Sequence, residues 1–274
     1  MEKLSKTSLN YYLSEYLEDL KRAGVKDFRK MPANSAQPVQ NAPVNQSKPA
    51  RLQETPVPEA GVQPQDRREP AQLNVVSPAP AGEDRASKLA QLAQQIAQCT
   101  LCPALVQNRT QTVFGTGDPY AELCFVGEGP GAEEDLQGKP FVGRSGQLLT
   151  DMIEKGMGIK RDSVFICNIV RCRPPQNRNP EKQEANNCRP FLDATLDVVQ
   201  PKFICCLGSI AATNLLQTDK PIGKLRGIVH DYNGVKVVCT YHPAYLLRNP
   251  SAKKQTWDDL KLLMREMGLQ IPGK

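Results

Sequence analysis

Leu123-Cys124-Phe125-Val126 runs straight into Gly127-Glu128-Gly129-Pro130-Gly131-Ala132-Glu133-Glu134-Asp135-Leu136-Gln137-Gly138-Lys139-Pro140-Phe141-Val142-Gly143-Arg144-Ser145-Gly146, and this stretch decides the fold. An unbroken apolar run reads as a strand buried on both faces. The glycines after it let backbone N–H groups approach a ligand, and Pro130 stiffens the turn. Ser145 is placed to cap a helix whose apolar face is Leu148, Leu149, Met152 and Ile153. A glycine-rich loop leaving a strand end is where open α/β sheets bind ligands. The spacing matches neither a dinucleotide nor a P-loop fingerprint and lacks the P-loop lysine. Glu133, Glu134 and Asp135 would repel phosphate. The expected pocket therefore takes an uncharged group, with a carboxylate, the flat Phe141 ring and backbone amides converging on it.

Outward from this loop the chain alternates. Helices are expected over about Asp84–Gln98, over a segment bearing Cys188 and interrupted by Pro190, over Ser209–Leu216, and from Ser251 onward. Strands are expected at Ser163–Val170, Lys202–Leu207 and Val235–Thr240, with Asn233-Gly234 a hairpin turn. Strands alternating with helices make a parallel sheet covered on both faces. Its carboxyl edge would gather Glu128 and Phe141, Asn168, and His242 into one cleft.

Residues 30–82 are rich in Pro, Gln, Ala and Asn, too poor in large apolar groups to offset their ordering entropy, and read as a disordered linker. Before it, residues 1–29 hold a short amphipathic helix with Leu9, Tyr12, Leu13, Tyr16, Leu17 and Leu20 on one face, suited to docking a protein partner or to folding back. The folded domain is expected over residues 83–274. The net charge of +6 suits a polyanionic partner. No stretch has the length of a membrane span and no signal-peptide core is present, which points to a cytoplasmic protein without membrane attachment.

Nine cysteines in a reducing compartment argue for metal ligation rather than disulfides. Cys99 and Cys102 form C-x2-C; Cys172 and Cys188 lie in and after the proline-rich Arg171–Pro180. This set suits zinc or a [4Fe–4S] cluster, and the wide second spacing leans toward the cluster. Cys124, Cys167, Cys205, Cys206 and Cys239 fall in strands and read as small core residues. Of two histidines, His230 in the hairpin reads as structural, and His242 before Pro243 as functional. Asn168, polar in an apolar strand, could read a planar base edge. Arg248, Lys253, Lys254, Lys224 and Arg226 would form a basic rim for phosphates.

These segments together resemble the family 4 uracil-DNA glycosylases: CTLC at 99–102, GEGPGAEEDLQGKPFVGRSGQLL, NIVRCRPPQNRNP with Cys188, and HPAYLLR, in order, over about Leu89 to Met267. The resemblance implies a three-layer α/β/α sandwich with a central four-stranded parallel sheet, a [4Fe–4S] cluster on Cys99, Cys102, Cys172 and Cys188, and excision of uracil from DNA by a monomer. By motif, Glu128 takes the catalytic carboxylate position, Phe141 the stacking position, Asn168 the base-reading position and His242 the histidine of the last motif. Gly127, Gly129 and Arg248 line the substrate, and Glu134 crowds uracil C5 and excludes thymine. Leu246 or Leu247 would fill the space a flipped base vacates. Ala244 replaces the usual serine, leaving its backbone N–H for a phosphate contact. The absence of histidine between Phe141 and Gln147 implies turnover rather than covalent trapping. Two other classes stay open: a non-catalytic iron–sulfur or zinc nucleic-acid-binding module, and a zinc-bound hydrolase-like enzyme.

Overall fold

A computed structural model describes residues 84–272. The expected helix at 1–29 and linker at 30–82 lie outside the described residues. Helix α1 (Arg85–Ala97) and the short α2 (Pro103–Asn108) precede strands β1 (Thr116–Gly117) and β2 (Leu123–Gly127). Then come α3 (Ala132–Gln137), α4 (Arg144–Asp151), β3 (Phe165–Asn168), α5 (Lys182–Val199), β4 (Phe203–Leu207), α6 (Ser209–Leu216) and α7 (Ile222–Leu225). Strands β5 (Val229–Tyr232) and β6 (Val235–Thr240), helix α8 (Pro243–Arg248) and helix α9 (Lys253–Glu266) complete it.

The sheet order is β1-β3-β2-β4-β6-β5. Its inner four strands, β3, β2, β4 and β6, are parallel, as expected from the alternation. The sheet is nonetheless six-stranded among the described residues, because antiparallel β1 and β5 extend its two edges. The two-residue β1 is too short to show a pattern, and β5 alternates exposed and half-buried residues as an edge hairpin strand does.

Alternation along β2 sends Leu123 and Phe125 to one face and Cys124 and Val126 to the other. The first face packs on Leu149 of α4 and Leu260, Leu263 and Met264 of α9. The second packs on Leu89 of α1, Leu192 and Leu196 of α5, and Ala211 and Leu215 of α6. The five strand cysteines are all buried, as small core residues are.

Three local expectations are corrected. Pro190 does not interrupt its helix: α5 runs unbroken through it. Burial of Phe191, Leu192, Leu196 and Val199 outweighs the one lost backbone bond. Ser145 is not the cap of α4; Gly143 holds that position, because its N–H is already tied to Glu134. The last helix begins at Lys253, after a 3₁₀ turn at Pro250–Ala252 that starts with a proline.

Candidate active site

Register places the ends of the strands side by side: Gly127 opposite Asn168, and Leu207 opposite Thr240. The loops beyond them enclose a cleft of about 400 Å³ lined by Glu128, Gly129, Glu134, Phe141, Asn168, His242 and Arg248. All the expected base and sugar contacts therefore meet, with Gly127 just beneath. A Cβ on Gly127 would fall 2.4 Å from Asn168 Oδ1 and 2.5 Å from Phe141 Cζ. Only glycine lets the carboxamide and the ring close over the end of β2.

A slightly larger cleft of about 440 Å³ lies beside α5 and α6, lined by residues such as Lys182, Asn186, Arg189 and Asn214. Size does not choose between them; an unpartnered polar atom does. Asn168 is 2% exposed and its Oδ1 has no hydrogen-bond partner. A buried acceptor left alone costs about 1–3 kcal/mol, so a donor is expected to arrive from a bound ligand.

His242 is half-buried at the start of α8, its ring 5.6 Å from that of Phe141. The Ala244 N–H donates to His242 Nδ1 at 3.1 Å. Burial, reinforced by the Arg248 charge, holds the imidazole pKa down to about 4. The ring is therefore neutral near pH 7 with its proton on Nε2, a donor without a positive charge. That bond also takes up the Ala244 N–H, which the sequence had left for a phosphate. Burial raises the Glu128 carboxyl above its ordinary value, making it a more avid proton acceptor than a free carboxylate.

The acidic cluster does not face the cleft as a block. Glu134 accepts the N–H groups of Gly131, Val142 and Gly143 at 3.1, 2.9 and 3.0 Å. Asp135 is buried on the Thr110 amide at 2.9 Å. The repulsion expected of three carboxylates is replaced by two that organise the loop. The basic rim also shrinks to Arg248, joined by Arg178, which the sequence reading missed. Arg226 turns away because buried Asp259 holds it in a bidentate pair at 3.0 Å. Arg178 is itself held on Glu184, by bonds of 2.9 and 2.7 Å. The only hint in sequence was an arginine between Asn177 and Asn179 in a proline-bounded loop. Leu246 is buried in the core, while Leu247 is 38% exposed, so only Leu247 is free to enter a duplex.

Cys99, Cys102, Cys172 and Cys188 surround one small cavity with Arg109, Arg171 and Asn187. Arg109 Nη1 donates to Cys172 Sγ at 2.9 Å and Asn187 Nδ2 to Cys102 Sγ at 3.5 Å. Arg171 is fully buried and its Nε lacks a partner. Convergent thiols ringed by cationic donors fit a thiolate-held group of net negative charge. Among the described residues no group of three or more His, Cys, Asp or Glu is placed to hold a metal ion. His230 is structural, its Nε2 2.7 Å from the Leu225 carbonyl.

The family model of the uracil DNA glycosylase superfamily matches residues 114–261, which span the whole cleft. The chain belongs to that superfamily. Among its relatives, a type-4 uracil-DNA glycosylase of Thermotoga maritima is 46% identical over 162 residues, 58% of this chain and 83% of the relative. One from Sulfurisphaera tokodaii is 41% identical, over 66% of this chain and 85% of its own length. One from Archaeoglobus fulgidus is 37% identical, over 66% and 94%. The family assignment and the strand-end cleft thus rest on the same residues. No helix among those described is long and apolar enough to cross a membrane.

Proposed function

We propose that this protein is a DNA repair glycosylase that flips uracil out of DNA and hydrolyses its N-glycosidic bond, the opening step of base excision repair. The observation that carries the reading is the orphaned Asn168 Oδ1 on the cleft floor, beside Phe141 and the neutral His242. Uracil N3–H is the donor that oxygen lacks, and the same carboxamide can donate to O4; cytosine presents the reverse pattern at both atoms.

The chemistry follows from the geometry. Flipping costs a few kcal/mol, least for a mispaired base, and the exposed Leu247 would fill the gap while Arg248 and Arg178 meet phosphates. With uracil stacked on Phe141, the bond from C1′ to N1 breaks, its electron pair going to the base. His242 Nε2–H would donate to the uracil oxygen on which that charge grows, helped by N–H groups of the 127–131 loop. Glu128 would steady the cationic sugar, orient the water that adds to C1′, and accept its proton. Glu134, fixed by its three backbone amides, would crowd a C5 methyl and so exclude thymine. Cys99, Cys102, Cys172 and Cys188 would hold a [4Fe–4S] cluster, which when bound clamps the 171–180 loop against α1 and α2. Free thiols throughout suit a cytoplasmic protein.

The test is release of free uracil from a uracil-containing oligonucleotide, measured alongside Asn168→Asp. The aspartate presents acceptors only and faces uracil O4. Excision should fall roughly 30- to 1000-fold with DNA affinity nearly unchanged, since affinity comes mainly from phosphates. Excision within about twofold of wild type would show that Asn168 does not read the base.

A further inference from the structure

Two charged groups, coming from either side, hold the loop that carries Phe141. Glu134 accepts the N–H groups of Val142 and Gly143. Arg161, from the 3₁₀ turn Arg161–Ser163 before β3, takes the carbonyls on the other side. Its Nη2 donates to the Pro140 and Phe141 oxygens at 3.2 and 3.0 Å, and its Nη1 to Thr150 Oγ1 at 3.0 Å.

This grip falls on a strained residue. Phe141 has φ 54°, the left-handed region, where a bulky side chain is an outlier. A Cβ on Gly146 would lie 1.9 Å from the Phe141 oxygen, so that carbonyl is packed against the backbone of α4. Such a conformer persists only when its surroundings over-determine it. The half-buried guanidinium reaches two successive carbonyls and a hydroxyl from two nitrogens of one planar fork, a spread that the single nitrogen of a lysine matches only in part. A merely solvated arginine would have no reason to be drawn in, since burial lowers its pKa.

We propose that Arg161 is a positioning residue that sets Phe141 in its left-handed conformation, with the ring presented to the flipped base. The proposal rests on the uracil-excising reading and extends it to a residue outside the cleft. Arg161 does not itself line the cleft; it acts through the Phe141 peptide whose carbonyl it holds.

A double-mutant cycle tests it, using single-turnover uracil excision, DNA affinity and thermal melting on the full chain. Arg161→Met should slow excision about 30-fold, with DNA affinity within about threefold, as expected when strain of this size is no longer supported. In a Phe141→Ala background the same change should cost less than about twofold, because the group it positions is gone. Arg161→Lys should restore part of the rate in the Phe141 protein and change nothing in the Phe141→Ala protein. Should Arg161→Met not fold, the lysine pair alone decides: equal losses in both backgrounds overturn the proposal. Losses that multiply, or an Arg161→Met rate within twofold of wild type, also overturn it while leaving the glycosylase reading intact. A wild-type protein that releases no uracil overturns the glycosylase reading, and this proposal with it.

Discussion

At the scale of the residue, the site depends on what glycine omits and on which protons are absent. Gly127 carries no side chain where Asn168 and Phe141 converge, and a methyl group there would meet Oδ1 at 2.4 Å and the ring at 2.5 Å. Gly127→Ala should therefore push both base contacts apart, cutting excision by about 100-fold or more while melting within a few degrees of wild type. Excision kinetics beside a melting curve check this. The pH profile follows from two shifted groups. The rate should show no inflection near the ordinary histidine value of 6.5, since His242 stays neutral down to about 4. Its acid limb should follow Glu128, above the ordinary carboxylate value, and vanish in Glu128→Gln. Stability carries the matching sign. Unfolded His242 takes up its proton near 6.5 and the folded one only near about 4, so the unfolded chain binds more protons between them. His242 stability is thus complete above about 6.5 and falls as pH drops toward 4, a slope that His242→Gln should flatten in denaturation curves taken across that range.

At the scale of the element, four thiols from three segments face one small cavity. Cys99 and Cys102 sit between α1 and α2, Cys172 opens an irregular proline-rich loop, and Cys188 lies on α5. That loop holds two left-handed residues, Gln176 and Asn177, and little regular structure of its own. It supplies Pro174, Asn177, Arg178 and Asn179 to the cleft. Protein purified without oxygen should be brown, with broad absorbance near ~400 nm. Cys172→Ala should lose that colour and lower the melting temperature. Cys205→Ala, in the core of β4, should keep the colour. Metal analysis giving about one zinc and no iron would overturn the cluster assignment.

At the scale of the whole molecule, both faces of the sheet are buried and its carboxyl edge is fastened from beneath. Thr240, the last residue of β6, donates to buried Asp259 at 2.8 Å, and Asp259 also holds Arg226, whose guanidinium lies 5.3 Å from the Tyr241 ring. This network anchors the approach to His242 from α9, 19 residues further along the chain from Thr240. Every site residue proposed here lies at or beyond Cys99, within the described part. A chain beginning at Glu83 should therefore fold alone and excise uracil with little loss of single-turnover rate. A large loss in that comparison would assign residues 1–82 to the catalytic unit.

The sequence by itself determined the parallel order of secondary structure, the strand-end placement of Glu128, Asn168 and His242, and the separation of the five strand cysteines of the core from the other four. Each of these follows from local signals: apolar runs, glycine and proline breaks, and short spacings. Only the tertiary structure decided which charges reach the cleft. Arg226 and Lys224 looked like the rim, yet Arg226 is drawn off by an aspartate 33 residues away, and Arg178 takes the place. It likewise decided that Glu134 braces a loop, that Leu247 rather than Leu246 is exposed, and that Phe141 stands left-handed under Arg161. The physical reason is the same each time. A charged or flexible side chain goes to whichever partner the fold brings near, and partners distant in sequence leave no periodic trace in it.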